Sequence, residues 1–132
     1  MDKKLFQPIE IRGMRLKNRI GWPSFLQNPQ GADGSVVDLT LRWYEEFIKS
    51  GAGLIMTAAI NPSSYQLNEL APIARQGLAL YDDKYIPGLA KLAELTHSYG
   101  AKLGAQIAVI GPLAGRGMSP LPYPDERHAI DR

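Results

Sequence analysis

Gln106 interrupts an otherwise apolar run from Leu103 to Val109, and no other residue stands out so clearly for chemistry. An amide both donates and accepts hydrogen bonds, and burying one unpaired costs about 1–3 kcal/mol. It therefore calls for a partner, either a ligand edge or water and main chain at a strand end. Ala59 ends an earlier apolar run, where a small side chain either leaves room for a ligand or packs beneath a helix. Pro23, Ser24, Phe25 and Leu26 leave a third run and can present main-chain groups, or simply form a rigid strand exit. Trp22 and Phe25 offer ring faces for stacking, although buried aromatics more often serve as core. The Gly111 to Gly117 stretch, with Arg116, could cradle a phosphate through its N–H groups. It lacks the lysine of a P-loop and the order of a dinucleotide turn, so a strand-to-cap loop is the plainer reading.

Other chemistries are poorly supported. There is no cysteine, and His97 and His128 are far apart with no carboxylate cluster around them, so no metal site is expected. His97 falls near a helix end, where it suits the helix dipole. Tyr44, Tyr85 and Tyr99 fall on or beside helices as packing or capping groups, and the catalytic residues stay unknown. The net charge is +2, from 15 cations against 13 anions, and the basic spots Lys3-Lys4 and Arg15, Lys17, Arg19 are too short to track a nucleic acid. The apolar runs 51–60 and 103–114 fall short of the about 20 residues that span a membrane. The segment after Met1 lacks the apolar centre of a signal peptide, which makes the cytoplasm the default location.

The elements that would position these residues alternate. Ile9-Glu10-Ile11 and Met14-Arg15-Leu16 read as a hairpin about Arg12-Gly13. Asn18 to Trp22 reads as a strand stopped by Pro23, followed by a long polar loop from Ser24 to Ser35. A helix capped by Asp38 or Thr40 runs to about Lys49, with Leu41, Tyr44, Phe47 and Ile48 on one face and Gly51 as its stop. Gly53 to Ala59 suits a strand buried on both faces of a parallel sheet. A polar connection from Asn61 to about Asp83 leads to a second helix from about Lys84, with Pro87 in its first turn and Ile86, Leu89, Ala93 and Thr96 on one face. Gly100 ends that helix before the strand that carries Gln106. Helix-to-strand turns are tight and strand-to-helix loops long, which places the chemistry at the carboxyl ends of the strands, beside Ser24–Ser35, Ile60–Asp83 and Ile110 onward. The fold class is α/β, a partial (β/α) barrel with an N-terminal hairpin, about the first three strands and two helices. A closed barrel has eight strands and about 250 residues, so residues 1–132 are expected to be the N-terminal portion of a larger barrel, with 119–132 a cap, loop or truncated tail.

Several segments, in order, resemble the N-terminal region of the old yellow enzyme family of flavin oxidoreductases, which includes 2,4-dienoyl-CoA and enoate reductase relatives. They are Leu5-Phe6-Gln7-Pro8-Ile9, Leu16-Lys17-Asn18-Arg19-Ile20, Asp33-Gly34, Tyr44, Gly51-Ala52-Gly53-Leu54-Ile55, Gly100-Ala101-Lys102 and Gln106. The Asn-Arg-Ile and Gly-Ala-Gly-Leu-Ile pieces carry most of the likeness.

The resemblance implies an FMN-binding barrel, with Pro23, Ser24, Phe25, Leu26, Ala59 and Gln106 as cofactor-binding residues. Gln106 would meet the polar pyrimidine edge of the flavin. It also implies NADH or NADPH as reductant and an activated alkene as small-molecule substrate. This sequence departs from the family in having Ser24 where the family usually has proline. It also has Val109, Gly111 and Pro112 where the family often places a His and then Gly-Arg. The family's proton-donor tyrosine and phosphate loops lie on later strands, so the chain alone is expected to bind FMN weakly or not at all. The alternative is a non-catalytic split subunit or interaction module, needing a second chain or a homo-oligomer to complete the barrel.

Overall fold

The computed structural model describes residues 3–25, 29–63 and 77–108. A short 3-10 turn, Lys4–Phe6, leads into the hairpin β1 (Ile9–Ile11) and β2 (Met14–Leu16), paired antiparallel with Ile9 opposite Leu16 and Ile11 opposite Met14. Strand β3 (Gly21–Trp22) follows, shorter than the Asn18 to Trp22 run suggested. Helix α1 (Asp38–Ile48), strand β4 (Leu54–Asn61), strand β5 (Leu78–Ala79), helix α2 (Ile86–Ser98) and strand β6 (Lys102–Ile107) complete the described elements.

The expected cap of α1 is corrected. Val37 is the N-cap, and its main-chain N–H donates to Thr40 Oγ1 at 3.1 Å. Asp38 instead lies in the first turn, where a carboxylate suits the positive end of the helix dipole. The second helix starts at Ile86, after a 3-10 turn at Asp83–Tyr85, and carries Pro87 in its first turn as expected. Its buried positions are Leu92 and Thr96; Ile86, assigned to the apolar face, is 55% exposed.

All pairings in the larger sheet are parallel. β4 is its centre. β6 pairs along nearly the whole of one edge of β4, while β3 pairs with Leu54 and Ile55 on the other edge and β5 with Ile60 and Asn61 farther along. β5 lies inside the stretch the sequence presented as a polar connection. The helices α1 and α2 pack against each other and against one face of this sheet. The core between them is Tyr44, Ile48, Ala52, Ile55, Ile60, Leu78, Leu92 and Ala101.

Ile55 and Ile60 both reach that core although they are five residues apart, an odd separation that strict strand alternation would send to opposite faces. The pairing explains it. Between Met56 and Ala59 three steps along β4 match only two along β6, from Gly104 to Gln106. One extra residue makes a β-bulge, and a bulge exchanges the two faces beyond it. Met56, Ala59, Gly104 and Gln106 consequently share the face away from the helices.

At the amino ends of the strands two adjacent side chains tie down both helices. Lys17 Nζ donates to Tyr99 O at 2.8 Å, at the end of α2, and Asn18 Nδ2 donates to Gly51 O at 2.8 Å, just past α1. Asn18 Oδ1 also accepts from Ile20 N at 3.1 Å, and Gly53 N donates to Ile20 O at 2.9 Å. Gly53 is required here, because a Cβ would stand 2.8 Å from Asn18 O and 2.9 Å from Asn18 Oδ1. Replacing Asn18 by Ala leaves a partly buried carbonyl and N–H without their partners. The expected loss is about 1–3 kcal/mol of stability, read as a lower urea midpoint with unchanged slope.

Candidate functional site

The parallel arrangement brings the carboxyl ends of β3, β4 and β6 together, and with them three of the residues singled out from the sequence. Ala59 and Gln106 are directly paired across β4 and β6. The Ser24 hydroxyl, two residues beyond the end of β3, donates to Gln106 Oε1. Ala59 and Ser24 are half-buried, while Gln106 is exposed on the sheet face opposite α1 and α2. A small side chain, a hydroxyl and a primary amide therefore meet at the mouth of the sheet.

Pro23 is exposed beside Ser24. The Phe25 ring turns toward α1, with its centroid 4.8 Å from Trp43 and 5.1 Å from Phe47. Trp22 stacks on Phe47 at 5.0 Å with an interplanar angle of 26°. Both aromatic side chains are engaged with helix residues, which follows for Trp22 from its pairing with Ile55, a core residue on the helix side. Leu26 and the Gly111 to Gly117 stretch lie outside the described residues.

The bulge is held by two residues whose part in the site the sequence did not disclose. Thr57 Oγ1 accepts the Gln106 main-chain N–H at 3.0 Å. The Tyr44 hydroxyl, buried on α1, accepts the Ala58 N–H at 2.7 Å. A tyrosine on the apolar face of a helix was the available signal, since a buried phenol needs a polar partner. Burial pushes the Tyr44 phenol up to about 12 from its ordinary 10.0.

The loops at this end of the sheet are fastened together. Tyr85 donates from its hydroxyl to Asp33 O at 3.0 Å, and the Tyr81 and Tyr85 hydroxyls are 2.8 Å apart. Ala79 N donates to Gly34 O at 2.9 Å, and Lys84 Nζ lies 3.7 Å from Asp33 Oδ2. Hydrogen bonds from Ser35 hold the Asp33 carboxyl below its ordinary value, with Lys84 adding to the effect. The loop after β3 is thus braced against the start of α2 by β5 and a tyrosine.

Residues 4–121 match the family described as NADH:flavin oxidoreductase / NADH oxidase. The chain belongs to that family. It is 34% identical over 114 residues to an NADPH dehydrogenase of Bacillus subtilis, covering 84% of this chain and 32% of that protein. It is 36% identical over 103 residues to an NADH oxidase of Thermoanaerobacter brockii, covering 78% of this chain and 15% of that one. Among solved structures, Old Yellow Enzyme from Pichia sp. AKU4542 superposes with a TM-score of 0.72 at 25% identity, over 86% of this chain and 28% of that chain. A 2-naphthoyl-CoA reductase superposes with a TM-score of 0.74 at 24% identity, over 86% of this chain and 17% of that chain. The chain therefore spans about a third or less of the length of these relatives, and its sheet and helices are part of a (β/α) barrel of the old yellow enzyme type.

In this family member the bulge gives a measurable signature. The folded chain keeps the Tyr44 proton between pH 10 and about 12 while the unfolded chain releases it, so this group's contribution falls as pH rises through that window. Tyr44→Phe leaves the Ala58 N–H unpaired and is expected to cost about 1–3 kcal/mol near neutral pH. Denaturant unfolding followed by tryptophan fluorescence should show the gap between wild type and variant narrowing above pH 10. A gap that stays constant with pH would contradict this account of the hydroxyl.

Proposed function

We propose that this chain forms one wall of the FMN site of an NAD(P)H-dependent oxidoreductase that reduces activated alkenes. The observation that carries the reading is the meeting of Ser24, Ala59 and Gln106 on the face opposite α1 and α2, at the carboxyl ends of parallel strands. The residues fit a flavin: an exposed amide supplies donor and acceptor for the polar edge of the ring system, and a residue as small as Ala59 beside it leaves space for a flat ring. Family membership supports the same cofactor.

FMN, when bound, supplies hydride chemistry between a reduced nicotinamide, NADH or NADPH, and the alkene. The protein's part is to bind and orient. Gln106 holds the ring edge, Ala59 sets how closely the ring approaches the sheet, and the main chain of Pro23, Ser24 and Phe25, continuing to Leu26, borders it. Phe25 contributes main chain only, since its ring is occupied with Trp43 and Phe47. A cytoplasmic location belongs to the same reading, where reduced nicotinamide is available; among the described residues no helix is long and apolar enough to cross a membrane.

One wall is a weak site. At millimolar FMN, amide signals of Ser24, Ala59 and Gln106 should shift in a nitrogen-15 spectrum while those of the β1–β2 hairpin stay in place. Shifts absent from those three residues, or flavin that stays with the chain stoichiometrically through gel filtration, would defeat the reading of these residues as a partial site.

A second reading is favoured by the outer edge of β6. Among the described residues β6 pairs only with β4, and Ile107 at its end is 58% exposed. An unpaired parallel edge with an apolar rim invites further strands, and a second polypeptide or a second copy of this one would supply them. Sedimentation velocity over a hundredfold range of concentration tests the self-association form. A chain that stays monomeric throughout would exclude it.

A further inference from the structure

We propose that Ser24 and Thr57 are positioning residues that hold Gln106 from two sides, the first by its side chain and the second by its main chain, so that its amide stands ready for the ring edge. The proposal rests on the flavin reading given above. It goes further by naming what fixes the amide, and it uses a position at which this sequence departs from the proline usual in the family it resembles.

Gln106 is exposed, and a free glutamine at a sheet mouth samples many rotamers that a ligand must then select. The Ser24 hydroxyl restricts that side chain, and the Thr57 hydroxyl fixes the main chain from which it springs. The Ser24 hydroxyl donates to Gln106 Oε1, across 82 residues of sequence, and so ties the amide to the end of β3. The Gln106 N–H, which the bulge in β4 takes out of the ordinary ladder, donates to Thr57 Oγ1 at 3.0 Å. The carbonyl oxygen retains a second lone pair and the NH2 group both of its protons, so the tether leaves donor and acceptor available to a ligand. Proline at position 24 could not make the first contact, having no side-chain donor. Restricting a group before the ligand arrives removes part of the ordering cost from binding.

The test uses the nitrogen-15-labelled 132-residue chain, with Gln106→Ala to assign the side-chain NH2 signals. In the wild type those signals should be displaced from free-glutamine positions. Ser24→Ala and Ser24→Pro should return them there, and Ser24→Thr, which restores a hydroxyl, should restore the displacement. Thr57→Val should speed hydrogen exchange at the Gln106 main-chain amide about tenfold, and Thr57→Ser should not. The apparent Kd for FMN, titrated with the same signals, should weaken about fivefold to tenfold in Ser24→Ala. Side-chain signals identical in wild type and Ser24→Ala, or no rescue by Thr, would overturn the tether. FMN binding equally well to wild type and Ser24→Ala would leave the flavin reading standing and remove the positioning role. Tether signals that respond while FMN moves nothing in the wild type would defeat the flavin reading, and with it the purpose assigned to the tether.

Discussion

The single extra residue in β4 is the constraint on which the rest of this structure depends. Without it, strict alternation from Ile55 would turn Ala59 toward the helices and Ile60 toward the open face, reversing core and site beyond the middle of the strand. The bulge lets one strand serve both purposes. Its amino half and its carboxyl half each place an isoleucine in the core, and the carboxyl half also places an alanine, Ala59, beside Gln106. The irregularity frees main-chain groups, and the neighbours supply their partners: Tyr44 from α1 for Ala58, and Thr57 for Gln106. A helix residue and a strand residue thereby set the geometry of a site that neither one lines with its own side chain.

The opposite end of the sheet has a different logic. The two segments that most strongly signalled kinship, Asn18-Arg19-Ile20 and Gly51-Ala52-Gly53-Leu54-Ile55, are one interaction in three dimensions. Asn18 bonds Gly51, Ile20 receives the Gly53 N–H, and Gly53 is small because Asn18 lies against it. These residues sit at the amino ends of the strands, far along β4 from Ala59, and set the alignment of β3 on β4. What reads most clearly as family in the sequence is therefore the part that fixes strand register. In α/β barrels that face carries stability and the other carries chemistry.

The same division explains what the sequence disclosed. The hairpin, the glycine stops after each helix and the parallel order of the apolar runs were legible because local pattern and short connections determine them. Two-residue β5 was not. Leu78 and Ala79 form a strand only because Ile60, Asn61 and the Gly34 carbonyl are beside them, and nothing in a polar connection announces that. The bulge was equally hidden, since a run apolar on both faces contains no alternation from which parity could be read. The apolar face of α2 was misjudged at Ile86 for a related reason: helical spacing identifies a stripe, while the extent of the sheet beneath decides which end of it is covered. At the site, Ala59 and Gln106 stood out by residue type, whereas Thr57 and Tyr44 looked like ordinary members of apolar faces.

The polar side chains that meet at the mouth of the sheet among the described residues, Ser24 and Gln106, are both neutral. A ring system whose polar edge alternates donors and acceptors is better served by an amide held in place than by an ion, because an ion would favour one charge state and carry a larger desolvation cost. Among the described residues at this end, Asp33 and Lys84 brace the loop after β3 against the start of α2, with Tyr85 completing the brace. Charge secures the loop, hydroxyls secure the amide, and the bulge determines where the amide stands. On the proposed flavin reading, the chemistry of this face would be limited by position rather than by acidity, as suits a protein whose reactive atoms would belong to a cofactor.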